Sequence, residues 1–210
     1  MNPLLDLRLA DCMDVMREFP DKHFDLAIVD PPYGIGAENH AGKQENGWTQ
    51  WTKKSWDARP PDADYFRKLF RVSKNQIIWG ANYYPQRLPP SMGWAFWDKG
   101  QRGFSLADGE LAFTSFDKAL RVFEYARGTA LAEGERIHPT QKPVALYNWL
   151  LEHYAKPGDK ILDTHMGSGS IAIACHYRNH PLVACEIDPD YYQAALARIK
   201  RETRQLTFWT

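Results

Sequence analysis

The sequence predicts an α/β fold with a mainly parallel sheet and helices on both of its faces. Three observations predict it. The first is a set of short apolar runs that each end in an acid: Phe24-Asp25-Leu26-Ala27-Ile28-Val29-Asp30, Lys160-Ile161-Leu162-Asp163 and Leu182-Val183-Ala184-Cys185-Glu186. Runs without polar alternation suit strands covered on both faces, the environment of a parallel sheet. The second is the stretch from Ser170 to Tyr177, rich in Ala and Ile, between the second and third runs. Its place makes it the crossover helix of a βαβ unit, because parallel neighbours cannot be joined by a hairpin. The third is the helical spacing of Tyr192, Ala195, Leu196 and Ile199 after Pro189, with Arg198, Lys200 and Arg201 near the end, where cations complement the helix dipole.

The centre of the chain is organised differently. Residues 34 to 60 contain Trp48, Trp51 and Trp56 among many polar residues with no periodicity, and read as one long surface loop. Residues 62 to 72 read as a helix. The runs Gln76-Ile77-Ile78-Trp79, Trp94-Ala95-Phe96-Trp97 and Leu111-Ala112-Phe113, separated by Gly and Pro, read as further strands. The simplest organisation is one domain over residues 1 to 210. The 34 to 60 loop and an inserted region from 81 to 136 are its candidate target-recognition elements.

Length and composition bound the function classes. A chain of 210 residues fits one domain with a real core, and 44% hydrophobic with 25% charged residues is ordinary for a globular protein. No apolar run nears the roughly 20 residues that span a bilayer, and Met1-Asn2-Pro3-Leu4-Leu5-Asp6 lacks the basic start and apolar core of a secretory signal. A cytoplasmic address without a membrane partner is therefore expected. Cys12, Cys175 and Cys185 are odd in number and form no CxxC pair, which suggests neither a disulfide framework nor a zinc site. The histidines show no ligand spacing, so no metal is expected. Lys+Arg and Asp+Glu are balanced at 26 each. A nucleic-acid partner would have to be met by a local basic patch.

Chemistry enters with Asp163-Thr164-His165-Met166-Gly167-Ser168-Gly169-Ser170, which leaves a strand and enters a helix. Glycines there let backbone approach a ligand, and the helix start offers free N–H groups. A turn without function explains a lone Gly-Ser-Gly equally well. Glu186 sharpens the reading, because it closes the next strand, where an acid accepts from ribose hydroxyls in dinucleotide-type folds. Together they describe a pocket for an adenosine-containing ligand. The loop has no Walker lysine and no GxGxxG spacing, which argues against a nucleoside triphosphate or a nicotinamide cofactor.

Asp30-Pro31-Pro32-Tyr33 directly follows the first strand. Successive prolines hold φ at about −65° and donate no N–H, which stiffens the turn. An Asp carboxylate and a proline carbonyl can accept together from one NH2 group, while the Tyr ring offers a flat surface to a base. The arrangement suits an amine nucleophile.

On these residues the chain resembles the DNA amino-methyltransferases of the β circular permutation, in which the catalytic motif precedes the cofactor motif. Asp30, Pro31, Pro32 and Tyr33 match the family's catalytic tetrad in its adenine form; cytosine-N4 enzymes more often begin with Ser. The resemblance implies a circularly permuted, Rossmann-like methyltransferase fold and S-adenosylmethionine as cofactor. It implies that Asp11 contacts the cofactor's adenine, and that His138, Thr140, Lys142 and Pro143 of His138-Pro139-Thr140-Gln141-Lys142-Pro143 lie at its methionine end. It further implies that Asp163, His165, Gly167, Ser168, Gly169 and Ser170 form the cofactor loop, and that Glu186 and Asp188 serve the ribose. The loop departs from the family's pattern where Thr164 and His165 replace Pro and Phe and Ser170 replaces Thr. His165 is expected to pack rather than react.

The implied reaction is direct methyl transfer to N6 of an adenine flipped out of DNA, with Tyr33 stacked on the base. N4 of cytosine is the alternative substrate, and a catalytically silent DNA-binding or cofactor-binding subunit is the alternative class. DNA is the expected partner, with a homodimer left open. Lys43, Lys53, Lys54 and Arg59, interleaved with Trp51 and its neighbouring Trp residues, suit phosphates and unstacked bases, and a loop that only packs its Trp residues onto the domain explains them nearly as well. Lys99 and Arg102 in the 81 to 136 region are the other candidates for DNA contact.

Overall fold

The computed structural model describes residues 3–36, 57–103, 107–132 and 136–204. Its core is an eight-stranded sheet in the order β1-β8-β7-β2-β3-β5-β4-β6. β2 (Phe24–Val29), β7 (Ile161–Asp163) and β8 (Leu182–Glu186) are the three acid-terminated runs, and they lie side by side and parallel. β1 (Leu5–Leu9) joins β8, and β3 (Ser73–Trp79) joins β2, both in parallel. Beyond β3 the direction alternates. β5 (Gly109–Thr114) pairs antiparallel with β3, and β4 (Trp94–Asp98) pairs antiparallel with β5. β6 (Arg121–Glu124) closes the edge parallel to β4.

Within the region from 81 to 136, β4, β5 and β6 extend the same sheet.

Helices cover both faces. α1 (Cys12–Arg17) and α2 (Ala63–Val72) pack Met16, Tyr65, Phe66 and Leu69 against Ala27, Val29 and Ile78. α4 (Val144–Tyr154), α5 (Ser170–Arg178) and α6 (Pro189–Glu202) pack on the other face, where Leu146, Leu150, Ile171, Ala195 and Ile199 meet Leu26, Ile28 and Ile77. A short helix, α3 (Arg127–Ala132), follows β6. Tyr191, Ala195, Arg198 and Ile199 form the buried face of α6, so Arg198 points inward rather than serving the solvent-exposed helix end. Among the described residues no helix is long and apolar enough to cross a membrane, and no cluster of His, Cys, Asp and Glu could hold a metal ion.

In a sheet of this kind ligands gather at the carboxyl ends of the strands. β2 delivers Asp30 there, β7 delivers Asp163 and β8 delivers Glu186.

Candidate active site

Two cavities open at that end, and the Asp-Pro-Pro-Tyr turn is the wall between them. Pro32 lines a cavity of about 280 Å³ together with Asp11, Tyr65, His165, Glu186 and Ile187. Tyr33 lines the other, of about 380 Å³, with Tyr83, Trp97, Glu110, Thr140 and Lys142.

The first cavity takes its shape from the loop after β7. Asp163 is 2% exposed, and its Oδ1 accepts from the His165 N–H at 3.0 Å. Glu186 accepts from Gly167 N–H at Oε2 and from Asp188 N–H at Oε1, each at 2.9 Å. The loop thus wraps around two acids. Burial pushes the Asp163 carboxyl up to about 8, with the neighbouring Asp30 and Glu186 adding to the effect, and burial also raises Glu186. Glycine suits position 169: its φ is +74°, where other residues are strained, and a Cβ would stand 2.8 Å from Ile199 Cδ1, which would have to shift. The cavity presents the acceptors of Asp11, Asp62 and Glu186 beside the apolar Cys12, Met13, Pro32 and Ile187, so these residues fit the hydroxyl and amino groups and the ring of an adenosine.

His165 stands in a chain of hydroxyls. Tyr65 Oη lies 2.7 Å from Thr164 Oγ1, which lies 2.9 Å from His165 Nδ1. Burial lowers the His165 imidazole to about 4, so the ring is neutral. Thr164 and His165, two of the three departures from the family's pattern, therefore support each other.

The second cavity is floored by charge. Lys142 is buried, and its ammonium contacts Asp30 Oδ2 and lies 2.9 Å from Glu110 Oε2. Tyr33 Oη donates to Asp30 Oδ1 at 2.6 Å. Lys99 reaches Glu110 Oε1 at 2.5 Å. Burial pushes the Asp30 carboxyl up while Lys142 pulls it back. For Glu110 burial also works upward, but Lys142 and Lys99 outweigh it and hold the group down to about 2. Burial would lower Lys142, yet Asp30 and Glu110 outweigh that and raise it. The Tyr33 ring stacks on Tyr83 with centroids 4.9 Å apart and planes at 16°. Gly80 makes room for it, since a Cβ there would fall 2.1 Å from Tyr33 Cε1.

The sequence-predicted residues divide between these places. Asp11, His165 and Glu186 line the first cavity; Tyr33, Thr140, Lys142 and Pro143 line the second. Asp11 also caps α1 by accepting from Met13 N–H at 2.7 Å, and Asp188 caps α6 by accepting from Asp190 and Tyr191 N–H. His138 packs over Gly167, and its Nδ1 lies 3.1 Å from Thr140 Oγ1. Ser168 and Ser170 are buried beneath the loop. Of the residues expected at DNA, Lys43, Trp51, Lys53 and Lys54 lie outside the described residues. Arg59 lines the mouth of the first cavity, Lys99 is engaged by Glu110, and Arg102 is bonded to Asp98 through both guanidinium NH groups.

Two site residues escaped the sequence reading. Glu110 had no signal beyond being an acid at the entrance of an apolar strand. Arg198 had one: it shares a helix face with Tyr191 and Ala195. Its NH1 donates to Ser168 O at 3.0 Å and Ser170 Oγ at 2.8 Å, and Ser170 Oγ in turn donates to Lys142 O at 2.7 Å. Arg198 thereby ties the glycine loop to the segment that carries Lys142.

Comparison with known families decides the class. The DNA methylase family model matches residues 78–197, more than half of the chain. The chain belongs to the DNA methylase family. That family depends on S-adenosylmethionine. The methylase-like protein YubD of Escherichia coli (strain K12) is 28% identical, with 93% of this chain and 92% of YubD aligned. The structure of the M1.HpyAVI–SAM complex superposes with a TM-score of 0.62 at 17% identity, covering 93% of this chain and 98% of that one. The cytosine-N4-specific PvuII DNA methyltransferase superposes with a TM-score of 0.59 at 13% identity, covering 96% and 93%. These likenesses establish the fold, a mostly parallel α/β methyltransferase sheet.

Proposed function

We propose that this chain methylates N6 of adenine in DNA, with S-adenosylmethionine in the cavity beside Glu186 and the flipped base in the cavity beside Tyr33. The observation that carries the reading is the turn between the two cavities. Pro32 lines one and Tyr33 the other, which supports Asp30 and Pro31, the residues just before them, as the groups where a donor and an acceptor of a methyl group would meet. The chain reads as the β permutation, because β2 with the tetrad precedes β7 with the glycine loop in sequence yet adjoins it in the sheet.

When bound, the cofactor supplies an electrophilic methyl on a sulfonium. The protein's part is alignment and electrostatics. Glu186 and Asp11 would accept from hydroxyl and amino groups of the adenosine. Tyr33 stacks on the base. The adenine amine is a weak nucleophile, since its lone pair is delocalised into the ring. Acceptance of its two N–H bonds by the Asp30 carboxylate and the Pro31 carbonyl localises that lone pair toward the methyl. Asp30 has capacity for this: a carboxylate offers about four lone-pair sites, and Tyr33 and Lys142 use one on each oxygen. The proton lost from nitrogen afterward leaves a strongly acidic ammonium and passes to water by way of Asp30.

N4 of cytosine is the second reading, favoured by the likeness to a cytosine-N4-specific enzyme. The Asp at the start of the tetrad supports adenine. Asp30→Ala tests the site: it abolishes methyl transfer while cofactor affinity stays within a few fold. Equal losses of activity and cofactor affinity would place Asp30 in the cofactor cavity instead.

A further inference from the structure

Asp57 is an acid that is 1% exposed. Burying a carboxylate is costly unless its oxygens are satisfied. Its Oδ1 accepts from two consecutive backbone amides, Tyr33 N–H at 2.6 Å and Gly34 N–H at 2.9 Å. Successive amides turned toward one point form an anion-binding concavity, and Gly34 supplies the left-handed residue that such a turn needs, with φ +74°. The contact is enclosed on both sides. Gly36 N–H donates to Asp57 O at 3.3 Å, and a Cβ on Gly34 would stand 2.4 Å from Pro60 Cδ.

The meaning lies in which amides are used. Pro31 and Pro32 have no N–H. After Asp30, the first two backbone donors in the turn are therefore those of Tyr33 and Gly34, and one carboxylate takes both. The same residue, Tyr33, holds Asp30 through its hydroxyl and stacks on Tyr83 through its ring. Fixing its amide fixes the turn that aims Asp30 and the Pro31 carbonyl.

We infer that Asp57 is a positioning residue for methyl transfer, which holds the Asp30-Pro31-Pro32-Tyr33 turn in register with the base cavity. The inference rests on the function proposed above for that turn. Asp57 acts through backbone hydrogen bonds and touches no reacting atom. What matters is an acceptor oxygen at this point, so the amide of Asn serves in its place.

The test compares Asp57→Ala with Asp57→Asn. Turnover is measured per cofactor-binding site counted by calorimetry, and exchange of the Tyr33 and Gly34 amides is followed by NMR. Asp57→Ala is expected to lower kcat by about 10²-fold, the scale of a misplacement of about 1 Å, with the Kd for S-adenosylmethionine changed less than about threefold. Its two amides lose protection. Asp57→Asn is expected to keep kcat within about tenfold and both amides protected. Wild-type kcat in Asp57→Ala overturns the inference, as does a 10²-fold loss in Asp57→Asn with both amides still protected. If Asp57→Ala does not fold, the Asn variant decides on the same readings. If the wild-type protein transfers no methyl to DNA, the function proposed for the turn fails. Amide protection then still decides whether Asp57 holds the turn, because unprotected Tyr33 and Gly34 amides in the wild type overturn that claim by themselves.

Discussion

Lys142 reaches Asp30 across the sheet's carboxyl edge, although 112 positions separate them in the chain. Lys142 is buried and Asp30 half-buried, and the same ammonium is shared with Glu110. Removing one partner of a buried ion pair costs about 3–5 kcal/mol, because the charge left behind has no compensation. Lys142→Met would leave Asp30 without its cation and Glu110 with Lys99 alone. It is expected to lower unfolding stability by at least that order in urea titration and to raise Asp30 further, since the cation that opposes burial is gone. A loss under about 1 kcal/mol would mean that the pair is solvated and does not organise the site.

Glu186 holds the loop after β7 through Oε2 on the Gly167 N–H and its own turn into α6 through Oε1 on the Asp188 N–H. Glu186→Ala is expected to weaken S-adenosylmethionine binding by on the order of 1.5–3 kcal/mol for each lost bond, at least about tenfold in Kd. Glu186→Gln keeps one acceptor oxygen and should fall between. Calorimetry that finds unchanged affinity in the Ala variant would remove Glu186 from the cofactor's ribose.

Asp163 gives a pH dependence with a definite sign. Burial raises its carboxyl from 3.8 to about 8, so the folded protein keeps a proton that the unfolded chain releases. The stabilising contribution is complete below 3.8 and is lost as pH rises through about 8. Stability of the cofactor-free protein should therefore decline across that window, and Asp163→Asn should flatten the decline. A cationic cofactor favours the carboxylate. Its affinity should increase from pH 6 to about 9 with net proton release, seen as a dependence of binding heat on buffer ionisation enthalpy. Affinity that falls over this range would show that Asp163 does not face the cation.

How much of this was legible in the sequence depends on where the information lies. β2, β7 and β8 declared themselves because strands buried on both faces carry no polar alternation, and the acids that end them are the ones the site uses. β1 did not, because Leu5-Asp6-Leu7-Arg8-Leu9 is an edge strand whose charges face outward as an Asp6–Arg8–Glu18 network. β6 is likewise a short, exposed edge. The glycine loop, Glu186 and the tetrad are local patterns and could be read from spacing. Lys142 with Glu110, Arg198 with Ser170, and Asp57 with Tyr33 are pairings across the fold, made by chain segments that no local pattern links. Arg198 alone left a trace, in the phase of its helix.

The central claim is that an adenine amine receives the methyl at the Asp30 turn. The most direct measurement is incubation of the purified protein with isotopically labelled S-adenosylmethionine and unmethylated DNA, digestion to nucleosides and mass analysis. The account predicts label in N6-methyladenine, absent when Asp30→Ala replaces the wild type. Label in N4-methylcytosine would contradict the choice of base, and no label in any nucleoside, from protein shown by calorimetry to bind the cofactor, would contradict the assignment of DNA as substrate.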